Sequence, residues 1–185
     1  MTDSTIIPHV IGTAAMLTMF FIVGSYYNGF YTNLHNEAYQ AQLKQAADFL
    51  ASNIVDLVTL SQLTEGDQFL VKVVETPTFI GERLYNISLV TMTPSYGDME
   101  VIRVVTRIDA LSIYATADLP WSVNSAIKIY TNEQSPRSDV AFKKNLLSDA
   151  AVSRAAQIKK SAAIVAWCLK KGGVITIGIG VMDRT

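Results

Sequence analysis

No charged side chain interrupts the chain between Ser4 and Asn36, and Val10 to Gly24 is almost wholly apolar. A helix needs about 20 such residues to cross about 30 Å of hydrocarbon, so this stretch predicts a spanning helix. Tyr26, Tyr27, Phe30 and Tyr31 follow it, and aromatic rings favour the boundary between membrane and water. The pattern then changes without a break. From Asn33 to Ser61 there is neither Pro nor Gly, and Leu43, Ala46, Ala47, Leu50, Ile54, Leu57 and Val58 recur at three- and four-residue steps. That spacing lays an apolar stripe along one side of a helix, with Gln40, Lys44 and Asp48 off it. The chain thus predicts one continuous rod from Ile6 to about Leu60, apolar in its first half and amphipathic in its second. The stripe must lie against the chain's own domain or a partner.

Leu63 to Gln68, with Gly66 and Asp67, reads as the end of the helix. Short runs rich in Val, Ile, Thr and Tyr come next, each closed by turn residues, and these predict strands. The runs are Phe69–Val74, Leu84–Met92, Met99–Arg107, Leu111–Ala117, Ser125–Thr131, Ala162–Leu169 and Val174–Met182. The second and third are expected to form a hairpin around a turn at 93–98. The last two flank Lys170-Lys171-Gly172-Gly173, whose glycines supply the positive φ that a tight hairpin requires. A polar loop spans 132–139, and Ala150–Lys160 reads as a short helix or stiff connector. The expected fold is α+β: a long hydrophobic N-terminal helix (residues 1–62), then an antiparallel β-sandwich (63–185), in which seven strands are foreseen.

Composition narrows the function more than it defines it. The 185 residues carry a net charge of −1 with no basic run, so the electrostatic footprint of a nucleic-acid binder is missing. The single cysteine, Cys168, excludes an intrachain disulfide and a cysteine-rich metal site. The two histidines, His9 and His35, both flank the apolar run and leave the later region without any. Cys168 therefore lacks a base or fellow ligand there and reads as a buried thiol beside Trp167. Asp98, Glu100, Asp109 and Asp118 could serve hydrolysis only by converging, which their spacing does not require. Gly172, Gly173, Gly178 and Gly180 lie in a turn and a strand rather than ahead of a helix, so they do not form a phosphate loop. Gly178 and Gly180 are expected to permit close packing or a bulge. No catalytic residue, cofactor or metal ligand is expected. Asn86-Ile87-Ser88 is a glycosylation sequon, which matters only if the domain lies outside the cell.

An uncharged apolar helix running unbroken into an amphipathic half, followed by a small β domain, resembles the plan of type IV pilin-like proteins. Archaeal pilins, archaellins and single-pass archaellum-associated envelope proteins are the nearest in kind. The resemblance covers Ile6 to about Leu60 and the β-rich character of the remainder. Pilin-type precursors carry a basic residue and a glycine ahead of the apolar run, and many bacterial pilins an early Glu. Here neither precedes Ile6, and no acid follows Asp3 until Glu37, which fits an uncleaved envelope or filament-associated protein. The resemblance implies a non-enzymatic subunit of a cell-surface filament, or a membrane-anchored component associated with one. It implies packing through the helix against copies of itself or related subunits and against lipid, with the β domain extracytoplasmic. The expected helix contact surface is Met16, Phe20, Val23, Leu43, Leu50, Ile54 and Leu57. The alternative is a monomeric anchored β domain that binds a ligand or the cell wall; that reading requires a well-formed apolar pocket.

Overall fold

The computed structural model describes residues 6–93, 100–122, 126–131, 140–158 and 161–183. Helix α1 runs unbroken from Ile6 to Leu63, as the absence of Pro and Gly across its second half dictates. The strands are β1 (Gln68–Val73), β2 (Asn86–Met92), β3 (Val101–Ile108), β4 (Ile113–Ser122), β5 (Ile127–Ile129), β6 (Val140–Phe142) and β7 (Asn145–Leu147). Helix α2 (Ala150–Ile158) follows, then β8 (Ala162–Lys171) and β9 (Val174–Asp183). The chain divides into two compact units, one ending at Ala38 and one beginning at Tyr39. The compact domain thus takes in the second half of α1 instead of starting at residue 63.

Within the second unit one sheet runs β1-β8-β9, with β5 and β6 both on the far edge of β9, and the other runs β4-β3-β2-β7. The expected hairpins form: β2 pairs antiparallel with β3, and β8 with β9 along its whole length. Gly172 and Gly173, at φ +57° and +80°, make the turn of the second. Two expectations need correction. Nine strands are present among the described residues, because β6 and β7 are three residues each, too short to show a period. In addition, β5 pairs with β9 in parallel: it leaves the end of β4 in the other sheet and meets β9 running the same way. The turn foreseen at 93–98 falls mostly outside the described residues, and the loop at 132–139 wholly outside them.

One core joins the amphipathic half of α1 to both sheets. Leu43, Ala47, Leu50, Ile54, Leu57 and Val58 are buried together with Ile87 and Leu89 of β2, Ile102 and Val104 of β3, and Ile177 and Ile179 of β9. The stripe therefore finds its partner in its own chain, which answers the requirement set by its periodicity. Polar groups fix the helix on the sheets. The buried Thr106 hydroxyl donates to the Leu43 carbonyl at 2.9 Å, and Lys44 Nζ donates to the Thr116 carbonyl on the β4 edge at 2.8 Å. At the other end of the helix, Lys170 Nζ donates to the Ser61 and Thr64 carbonyls at 3.0 and 2.7 Å. A cation there satisfies carbonyls that the last helical turn leaves open and complements the helix dipole.

Strand β8 is buried on both faces, which explains its continuous apolar run. Ile164, Ala166 and Cys168 join the main core; Val165 and Trp167 join a smaller cluster on the outer face. Trp167 is fully buried, with Tyr130 and Phe142 edge-on at 5.0 and 6.2 Å and Phe69 at 5.7 Å. A Cβ on Gly178 would stand 2.2 Å from Trp167 Cζ2, so the close packing anticipated there is real. Gly178→Ala is expected to cost about 1–3 kcal/mol through overpacking, since the boxed indole has nowhere to go. Thermal unfolding followed by circular dichroism checks this; an unchanged midpoint would contradict it.

Candidate interaction surfaces and cavities

The first unit offers an apolar surface rather than a cleft. From Val10 to Tyr31 every large apolar side chain of α1 is exposed, from 40 % at Val23 to 75 % at Phe21. An 18-residue window of the helix has a mean hydropathy of 1.6 and none of it is buried, so this helix is long and apolar enough to cross a membrane. Its threonine hydroxyls are satisfied internally. Thr13, Thr18 and Thr32 donate to the carbonyls of His9, Ala14 and Asn28, at 2.7, 2.8 and 2.8 Å. This back-bonding hides polar atoms that would otherwise be costly in hydrocarbon. Tyr26 and Tyr27 meet edge to face at 6.3 Å, and Tyr31 meets His35 at 4.3 Å.

The seven residues expected to form a contact surface separate into two groups. Met16, Phe20 and Val23 are exposed and, with Met19, border a shallow, wholly apolar concavity of about 270 Å³. Leu43, Leu50, Ile54 and Leu57 are at most 4 % exposed and belong to the domain core. Of the two partners expected for this stripe, the chain's own sheets already remove its apolar area from water. A stripe at helical spacing reports that burial occurs, not which chain provides it.

The carboxylates do not converge. Asp109 pairs with Arg107 at 2.8 Å and accepts from the Asn86 amide. Asp118 is held by the Arg103 guanidinium, Glu100 is exposed, and Asp98 lies outside the described residues. Among the described residues no group of three His, Cys, Asp or Glu could hold a metal ion. Cys168 is fully buried, and burial pushes its thiol up, against smaller opposing effects of Ser61 and Lys170. A raised thiol stays protonated at neutral pH, and the thiolate is the nucleophilic form. Asn86 sits in the middle of a sheet, paired with Arg107 on one side and Leu147 on the other. Its amide nitrogen is engaged by Asp109 in the folded chain.

Two of the concavities within the second unit bear on function. One, of about 500 Å³, is an open groove between Gln42, Gln45 and Phe49 of α1 and Glu75, Pro77 and Phe79 of the β1–β2 connection. The other, of about 270 Å³, is more enclosed. Leu89, Ile129 and Ile179 are among the residues that line it, Tyr130 and Phe142 wall it, and Lys143 and Lys144 also border it. Sequence reasoning missed this cavity, because its lining comes from separate strands that only the sheet topology brings together. The Lys143-Lys144 pair was its one legible sign. No protein-family model, curated protein or solved structure matches the chain.

Proposed function

We propose that this chain is a non-enzymatic structural protein anchored by the first half of α1. In this reading it is a subunit of a type IV pilus-like or archaellum-like surface filament, or a single-pass membrane component associated with one, with its β domain extracytoplasmic. One observation carries the reading: the uncharged stretch through Val10–Leu34 is solvent-exposed throughout, and its Thr13, Thr18 and Thr32 hydroxyls bond internally. Water is a poor environment for that surface. Lipid chains or the same helix in sister copies would cover it at no polar cost. Contacts with other copies through α1 fall to Met16, Phe20, Val23 and their neighbours, because the later stripe is spent inside the domain.

The test is fractionation of cells producing the full chain, followed by electron microscopy of membranes and sheared surface material. The expected result is recovery in the membrane fraction or in filaments. Recovery as a detergent-free soluble monomer would overturn the proposal. The second reading, a monomeric anchored domain that binds a ligand, is favoured by the cavity beside Ile179. Monodisperse single copies in mild detergent would support that reading over the filament.

A further inference from the structure

The far edge of β9 is shared by two short strands that do not meet. β5 covers Ile175–Ile177 in parallel, and β6 covers Gly180–Met182 antiparallel. On the β5 side, Ile175 N–H donates to the Ala126 carbonyl and the Ile177 carbonyl accepts from Tyr130 N–H, both at 2.9 Å. Backbone groups alternate sides along a strand, and the β8–β9 register is unbroken. Ile179 N–H and C=O therefore point toward that same edge, into the gap between β5 and β6. No described residue completes a backbone hydrogen bond to them there, although Ile179 is 1 % exposed. Buried peptide groups are seldom left unmet.

The 270 Å³ cavity lies at this gap. Its walls are the Tyr130 and Phe142 rings, edge to face at 5.0 Å, with Leu89 and Ile129 apolar beside them. Lys143 and Lys144 are exposed, and no carboxylate is among the described residues that line it. We infer that this cavity binds a short peptide-like ligand with a free terminal carboxylate and an apolar side chain. An amide group offers one acceptor and one donor, the complement of the Ile179 pair, as in strand addition to a sheet edge. The carboxylate meets the lysine ammoniums, and the side chain lies against the wall the two rings form. An inorganic anion would use only the lysines and leave the peptide pair and the aromatic walls idle. The volume falls just below the range of about 300–1,000 Å³ typical of drug-sized sites, so the ligand is a dipeptide or its equivalent. The inference does not depend on how the chain is anchored.

The experiment is calorimetric titration of the full chain in detergent micelles with N-acetyl-alanyl-leucine as the free acid and as its C-terminal amide. The acid is expected to bind at one site, at least about tenfold more tightly than the amide, because a charge-assisted contact is lost in the latter. Added salt should weaken the acid and leave the amide nearly unchanged. The pair Lys143→Gln and Lys144→Gln should reproduce the loss with the same melting temperature; if that variant misfolds, the salt series on the unaltered chain decides alone. No saturable binding of the acid, or equal binding of acid and amide, overturns the inference.

Discussion

Leu50→Asp is expected to unfold the domain of residues 39–185. Leu50 is 1 % exposed, in one core with Ile54, Leu43 and both sheets. Truncating a buried leucine alone costs about 2–5 kcal/mol. A carboxylate in its place also has to be desolvated without a partner or held protonated, which adds further cost. Net stability of a domain is about 5–15 kcal/mol, so the change consumes most or all of it. Near-UV circular dichroism and amide exchange of the full chain in detergent would report loss of fixed packing. Leu60→Gln serves as the control: Leu60 lies on the same helix but is 55 % exposed, and a surface change there should stay within about 0.5 kcal/mol. A folded Leu50→Asp protein would show that the stripe packs against something other than its own sheets.

That result bears on what the sequence could and could not convey. The helix, its amphipathic second half and the terminal hairpin were all legible, because each rests on local period or turn chemistry. Leu43 to Val58 recur at helical spacing whatever covers them, so the pattern foretold a buried face but was silent on the partner. Thr106, whose hydroxyl reaches the Leu43 carbonyl across more than sixty positions, gave no local hint of that contact. Val140–Phe142 and Asn145–Leu147 are too short for an alternation to register, and the parallel sense of β5 is set by the chain's route between sheets. The cavity beside Ile179 depends on where two ladders stop, and no single run of residues contains that information. Gly178 is the exception among long-range features: two glycines on one face of an otherwise branched strand signal a close approach, here that of the Trp167 indole.

The first half of α1 invites the opposite experiment. Met16→Asp together with Phe20→Asp is expected to abolish retention in the membrane or filament fraction while leaving the domain folded. Both residues are more than 60 % exposed and neither contributes to either core cluster, so the near-UV spectrum and melting temperature should not move. An aspartate near the centre of a spanning helix costs about 3 kcal/mol on insertion scales. Two of them shift partition by about 6 kcal/mol, or about four powers of ten. The same charges would also block packing against sister helices, since a like-charged pair would face itself across an apolar contact. Resistance to alkaline extraction reads the membrane arm; sedimentation of sheared surface material reads the filament arm. If the double variant stays in either fraction in undiminished amount, the apolar helix is not what holds the chain there, and retention must come from the surface of the domain instead.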